Sequence, residues 1–274
     1  MQQLPNEAVT HDGRFHADDV FSAALLEILN PEIHISRVST VPENFIGIVF
    51  DIANGPFDHH KFCKKCRENG VPYASLGLLW NEYGHTLVSA SSAKTFDESF
   101  IQPLDTQDNY GGNNMLCRAI TLANPKWDSS DDPDVCFFKA VDFAKFILLN
   151  EIESMKSAER ATKFVKDALD NQTNGIVTLS VGVPWKSILI SEPVYFVVYP
   201  STRGGFNAQA VPKCMESNEC KIYFPEEWRG QTNKLPEISG ISDMTFCHSS
   251  GYLIATKSIE AAIKACETAI KNAP

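Results

Sequence analysis

No stretch of this 274-residue chain approaches the roughly twenty consecutive apolar residues that a membrane-spanning helix needs, so no membrane partner is expected. Basic residues are scarce, with 24 Lys and Arg against 34 Asp and Glu, and the formal charge is −10. A field of that sign does not attract a phosphate backbone, which argues against extended, sequence-tolerant duplex binding. It argues less against a protein that grips only a strand end, because bound divalent cations supply local positive charge. Only about eight residues precede the first chemically dense segment, too few for a signal or transit peptide. A cytoplasmic protein is expected, or a nuclear one directed by no visible signal. The sequence shows no internal repeat and no low-complexity segment. The eight cysteines form no array, and without a secretion signal they read as free thiols. Cys63-Lys64-Lys65-Cys66 has the spacing of half a zinc knuckle. Cys214 and Cys220 do not supply the other half, so the segment reads as an exposed basic turn.

Against this ordinary background, with 43% hydrophobic and 21% charged residues, the seven histidines are unevenly placed. Two of them are neighbours in Phe57-Asp58-His59-His60-Lys61, just after the apolar run Ile46-Gly47-Ile48-Val49-Phe50 that ends in Asp51. Two more lie in Thr10-His11-Asp12-Gly13-Arg14-Phe15-His16-Ala17-Asp18-Asp19, with several acids among them. Imidazole nitrogens and carboxylates together suit Mn, Fe or Zn. An adjacent histidine pair alone is commonly a surface turn, and acids before an apolar helix are usually caps and dipole partners, a reading that fits Asp19. Two such clusters, each placed after a strand-like run, read as the halves of one metal site.

The patterning places these segments on a fold. Val20, Phe21, Ala24, Leu25, Ile28 and Leu29 recur at helical spacing and Pro31 closes the run. Residues 33–41 and 46–50 are strand-like, the latter wholly apolar, as in parallel strands buried on both faces. Residues 74–83 and 96–104 return to helical period, the second running into a polar, glycine-terminated loop at 105–112. After a loop at 125–134, a helical pattern extends from about 135 to 169. Strands are expected at 176–181, 188–190, 194–199 and 206–211, and a final amphipathic helix at 258–270. The chain is therefore expected to be α/β. A parallel-sheet N-terminal domain would occupy 1–134, a helical connector 135–172 and a smaller α+β domain 173–274. Functional groups of open parallel sheets collect at the carboxyl ends of strands, where His11, Asp51 and the Asp58–His60 group fall.

The ordered set His-x4-His-x-Asp-Asp, a strand-ending Asp, Asp-His-His and a downstream Asp resembles the DHH phosphoesterase superfamily. Within it, Phe57-Asp58-His59-His60, Gly70-Val71-Pro72-Tyr73-Ala74-Ser75-x-Gly77-Leu78-Leu79-Trp80, Gln209-Ala210-Val211-Pro212 and His248-Ser249-Ser250-Gly251-Tyr252 resemble the melanocyte-proliferating-gene family over nearly the whole chain. The resemblance implies a DHH-type N-terminal domain in which His11, His16 and Asp18 begin the metal ligand set. Asp51 would bridge two ions, His59 would be a further ligand, and Asp105, or Asp108 close by, would supply the last carboxylate. It implies that His60 contacts the substrate phosphate and that Asp58 orients a histidine from behind. His248, Arg203 and Gly251 would contact substrate from the C-terminal domain. His248 alone would otherwise read as a turn residue. Departures exist: Ala17 and Asp19 stand where the family usually has Cys and Glu. Phe206-Asn207 replaces a Trp-Arg pair, unless Arg203 takes over the lost charge.

The chemistry so implied is metal-assisted phosphoester hydrolysis with two divalent ions about 3.5–4 Å apart, Mn²⁺ favoured over Mg²⁺ by the histidines. The expected activity is 3′–5′ exonuclease cleavage of RNA or short oligonucleotides. Two other readings stay open, a small-molecule phosphatase or pyrophosphatase and a noncatalytic nucleotide- or protein-binding member. A homodimer is allowed.

Overall fold

The computed structural model describes residues 4–60, 64–215 and 217–273. The chain divides into two compact units, Met1–Met155 and Lys156–Pro274. No helix among the described residues is long and apolar enough to cross a membrane. None of the seven described cysteines is in a disulfide; Cys66 is exposed, and Cys63 lies outside the described residues.

The first unit is built on three parallel strands, β1 (Glu7–His11), β2 (His34–Val38) and β3 (Ile48–Val49), in the order β2-β1-β3. Between β1 and β2 the chain passes through α1 (Ala17–Leu29), whose residues from Ala17 to Leu26 are all buried. A helix apolar on nearly every side belongs inside a core, and this one lies among α2 (Ser75–Tyr83) and the helices at Gln102–Tyr110 and Met115–Ala123. After α2 come α3 (Ala90–Phe96), a π-helical turn (Asp97–Ile101) and α4 (Gln102–Tyr110). Next is α5 (Met115–Ala123), whose N-terminus is capped by the Asn114 side chain accepting from Leu116 N and Cys117 N. Phe15, Phe21, Phe50 and Phe137 are fully buried here, each worth roughly 1.5–3 kcal/mol relative to exposure.

The helix α6 (Pro133–Asp170) is 38 residues long. Phe137, Ala140, Val141, Ala144, Leu148 and Ile152 pack into the first unit's core, whereas Val165 packs with Val177, Leu179 and Val197 of the second. Each half of the helix is thus part of a core.

The second unit holds β4 (Ile176–Thr178), α7 (Lys186–Leu189), β5 (Phe196–Pro200), β6 (Phe206–Ala210), α8 (Leu235–Ser239), β7 (Met244–Cys247), β8 (Leu253–Thr256) and α9 (Ile259–Lys271). Its five-stranded sheet runs β4-β5-β6-β8-β7, with β4 parallel to β5 and the remaining pairs antiparallel. The small residues Ala262, Ala265 and Ala269 let α9 lie close on the sheet.

The whole is α/β, with one parallel and one mixed sheet. Several local expectations differ from it. Residues 105–110, expected in a loop, continue α4. Pro103 in the first turn is compatible with a helix start, and Gly111 at φ +75° ends it. Residues 188–190, expected as a strand, fall in and just after α7, because a short apolar run does not by itself distinguish helix from strand. The third strand is shorter than its apolar run.

Candidate metal centre

Four segments of the first unit supply the site. The end of β1 carries His11, the start of α1 carries His16, Asp18 and Asp19, the loop after β3 carries Asp51, Asp58, His59 and His60, and α4 carries Asp108. The acids of α1 occupy its first turn, where the free N–H groups and helix dipole favour negative charge. Asp19 Oδ1 accepts from His16 N at 2.9 Å, so its expected capping role is present. Its other oxygen lies 3.3 Å from His11 Nε2, a role that the capping pattern did not reveal.

The loop at 51–60 holds an uncommon backbone. Asp51, Ala53 and Asn54 all adopt left-handed φ of 53–62°, a conformation that non-glycine residues keep only when their surroundings enforce it. Asp58 does much of that enforcing. One carboxylate oxygen accepts from Asn54 N at 2.6 Å, and the other from His60 N at 2.9 Å. The same oxygen lies 2.9 Å from His60 Nδ1, which fixes the ring and leaves its Nε2 edge outward. These contacts also hold the Asp58 carboxyl below its usual range, although burial opposes them.

Asp51 sits at the middle of the cluster. Its Oδ2 is 3.3 Å from His11 Nε2, while its Oδ1 is 3.3 Å from His59 Nε2 and 3.5 Å from His60 Nδ1. His59 Nε2 also lies 3.1 Å from Asp108 Oδ2 and 3.5 Å from Asp18 Oδ2. Three overlapping triads result, His11–Asp19–Asp51, Asp51–His59–His60 and His16–Asp18–Asp108, each with donor atoms within 4.8 Å of one another. Asp51 belongs to two of them.

Electrostatics show how crowded this is. Asp19 and Asp51 push the His11 imidazole up to about 10. Burial lowers His59, but Asp108 and Asp51 outweigh it and raise that ring to about 10 as well. Asp51 resists burial through His11 and His59 and is held at about 2. Asp18 is pushed well above the usual carboxylate range, first by burial and then by the charges of Asp51, Asp108 and Asp19. Burial also raises Asp19, against the pull of His11.

Both oxygens of Asp18, Asp19 Oδ2, Asp51 Oδ1 and both nitrogens of His59 are buried with no hydrogen-bond partner among the described residues. The short approaches to His59 therefore lack hydrogen-bond alignment. Buried polar atoms are nearly always satisfied, and orphaned ones in a mixed imidazole–carboxylate cluster fit the ligand atoms of a divalent cation.

Asp105, the first choice for the last carboxylate, is not among these groups. It is fully buried, with Oδ2 2.8 Å from Arg67 Nη2 and Oδ1 accepting from Gly77 N at 3.3 Å. Arg67 is itself locked, donating from Nε to Asp97 at 2.7 Å and from Nη1 to Pro72 O at 3.2 Å. It is Asp108, one helical turn on, that faces His59 and Asp18. Because residues 105–110 are helical, the two aspartates point to different neighbours, which a loop reading did not separate.

The proposed substrate residues lie in the second unit. His248 begins the turn between β7 and β8, where its Nδ1 accepts from Ser250 N at 3.1 Å and its ring lies 4.5 Å from that of Tyr252. Gly251 is left-handed at φ +69°, and a Cβ there would meet Arg229 Nε at 2.5 Å, so the glycine is needed for packing. Arg203 is exposed in the β5–β6 turn. The pairing of Phe206 with Thr256 and of Gln209 with Leu253 puts that turn at the opposite end of β6 and β8 from His248. The guanidinium beside Gly251 is that of Arg229.

Fold and site define an α/β protein whose parallel sheet presents a buried His/Asp cluster able to hold metal ions. The family model described as an uncharacterised protein family (UPF0160), with the model name MYG1_exonuc, matches residues 7–270, and the chain belongs to that family. Among similar curated proteins, the MYG1 protein of Dictyostelium discoideum is 27% identical, covering 97% of this chain and 96% of its own. The MYG1 exonuclease of Homo sapiens is also 27% identical, covering 94% and 84%. The MYG1 protein of Chlamydia pneumoniae is 24% identical, covering 92% of each. No solved structure matches the chain at a significant level.

Proposed function

We propose that this protein is a metal-dependent phosphodiester hydrolase of DHH type, an exonuclease that trims RNA or short oligonucleotides from the 3′ end. The observation that carries the reading is the position of Asp51, with each oxygen turned toward a different histidine group and surrounded by buried carboxylate atoms that have no protein partner. The name exonuclease borne by the human relative supports it at family level. Two divalent ions, with Mn²⁺ favoured by the histidine content, would be held by His11, His16, Asp18, Asp51, His59 and Asp108, with Asp51 shared. When bound they supply an acidified water and neutralise developing charge on the phosphoryl oxygens.

The chain's own contribution is orientation. Asp58 fixes His60 through two contacts to one oxygen, so the exposed side of that imidazole is held toward the substrate and donates to a phosphoryl oxygen when both ring nitrogens carry hydrogen. The left-handed backbone at Asp51 keeps its carboxylate between the two histidine groups. Burial of Asp18 and His59 keeps bulk water from competing for ligand atoms.

The test is hydrolysis of a 5′-labelled RNA oligomer with and without Mn²⁺, with Asp51→Ala as control. A metal-dependent ladder shortening from the 3′ end, absent in the variant, is expected. Release of phosphate from pyrophosphate or dinucleotides without RNA cleavage would overturn the RNA reading in favour of a small-molecule phosphatase. Metal binding without any hydrolysis would overturn the enzymatic one.

A further inference from the structure

The cluster opens on two cavities that share His16. One, of about 440 Å³, is lined by groups of the cluster and its loop, including His11, Asp51, Asn54 and His60. The other, of about 660 Å³, lies on the α4–α5 side and is different in chemistry. His16 and Asp108 form its border with the cluster, Met115 and Leu122 give it an apolar wall, and Arg118 gives it a cation. Met115 is 75% exposed and Leu122 58%, so these side chains add nothing to the core. Arg118 is exposed and has neither ion pair nor side-chain hydrogen bond among the described residues, although the chain carries a net charge of −10.

We propose that this second cavity seats the nucleoside of the phosphorylated substrate, with Met115 and Leu122 against the base and Arg118 paired to the phosphate joining it to the cluster. The inference rests on the phosphodiesterase reading and adds the residues that select a nucleotide over a bare phosphate. Three features favour this occupant. A volume of 660 Å³ falls within the range of small-molecule sites. An apolar wall beside a single guanidinium matches a ligand that is flat and apolar at one end and anionic at the other, which Arg recognises by paired N–H donors. The cavity also borders His16 and Asp108, so a phosphate attached to a nucleoside seated there can reach the cluster without rearrangement. The first cavity is lined mainly by acids and imidazoles, with Ile52 and Ala53 its apolar residues, and no arginine or lysine among the described residues lines it.

Isothermal titration of the Mn²⁺-supplemented protein with adenosine monophosphate and, separately, inorganic phosphate tests this without relying on turnover. Wild-type protein is expected to bind the nucleotide about tenfold or more tightly than phosphate, the gain of a modest apolar contact. Leu122→Asn should remove most of that preference and leave phosphate binding unchanged. Arg118→Gln should weaken the nucleotide about tenfold, with Arg118→Lys restoring part of the loss. All three positions in the pair of walls and the cation are exposed, so unchanged melting temperatures are expected and serve as the folding control. In the RNA assay, Arg118→Gln should raise KM. Equal affinity for nucleotide and phosphate, or a nucleotide affinity untouched by both variants, would overturn the proposal. A wild-type protein that binds the nucleotide with the expected variant pattern yet cleaves nothing would overturn the hydrolase reading and leave the nucleotide seat standing.

Discussion

Replacing Gly77 by alanine should destabilise the protein even though it improves the helix in which it lies. Gly77 is inside α2 with ordinary backbone angles, so alanine alone would gain about 1 kcal/mol of helix propensity. Its Cβ, however, would fall 1.9 Å from Asp105 Oδ2, 2.9 Å from Asp105 Cγ and 2.7 Å from Arg67 Nη2. The carboxylate must swing away by more than 1 Å to clear it, giving up the 2.8 Å contact to Arg67 and the bond from Gly77 N. Both charged side chains are buried, and separating such a pair costs about 3–5 kcal/mol. The net expectation is a loss of roughly 2–4 kcal/mol, or about 4–16 °C in melting temperature for a unit of this size. Thermal and urea unfolding of Gly77→Ala measure it. The cause is isolated by Gly77→Ala combined with Asp105→Ala. With the carboxylate gone only Arg67 Nη2, at 2.7 Å, has to give, and Arg67 keeps Asp97, so adding Gly77→Ala to Asp105→Ala should cost much less than Gly77→Ala costs alone. A Gly77→Ala protein as stable as its parent, or losses that simply add in the double variant, would refute the reasoning.

The two aspartates of α4 should separate under mutation. Asp108→Ala is expected to lower Mn²⁺ affinity at least tenfold by calorimetry with little change in melting temperature, and Asp105→Ala to lower the melting temperature with a smaller loss of Mn²⁺ affinity; the opposite pattern would return Asp105 to the ligand set. Stability should also carry a signature of Asp105 in pH. Burial raises its carboxyl to about 6 against 3.8 when unfolded, the Arg67 charge notwithstanding. Between those values the folded state keeps a proton that the unfolded state has lost, so stability falls as pH rises from about 4 to 6, by up to about 3 kcal/mol, and is then level. Urea titrations of wild type and Asp105→Asn at half-unit intervals should differ by this contribution; identical slopes would remove Asp105 as its source.

Much of the candidate metal centre was legible because most of its residues lie in two short segments. Five or fewer residues separate His11, His16 and Asp18, and Asp58, His59 and His60 are consecutive, so any fold placing both segments at neighbouring strand ends brings them together. The parallel pairing of β1 with β3 is what does so. The second unit was less legible, since its sheet is completed by the pairing of β6 with β8, two segments distant in sequence. Nothing local to Arg203 reveals that its turn lies at the far end of β6 from His248. The helix α5, which carries Arg118, is not among the helices expected from the sequence, although the amphipathic pattern of residues 115–123 marks one.

The division of labour along α4 ties fold to function. A carboxylate intended for a metal must remain available, so it cannot also hold the backbone that carries it. Here Asp105 does the holding, buried against Arg67 and the amide of α2, and Asp108 one turn later is left to face His59 and Asp18. The π-helical turn just before α4 belongs to the same device, because it carries Asp97, whose carboxylate fixes the other side of Arg67. The same arginine draws its remaining contacts from Pro72 O and the face of Tyr73, 4.0 Å away. The segment from Gly70 to Trp80 therefore acts on the centre without supplying a ligand: it fixes Arg67, which fixes Asp105, which sets where α4 presents Asp108. Damage to this buried network should reach metal affinity only through movement of α4, whereas damage to Asp51 reaches it directly.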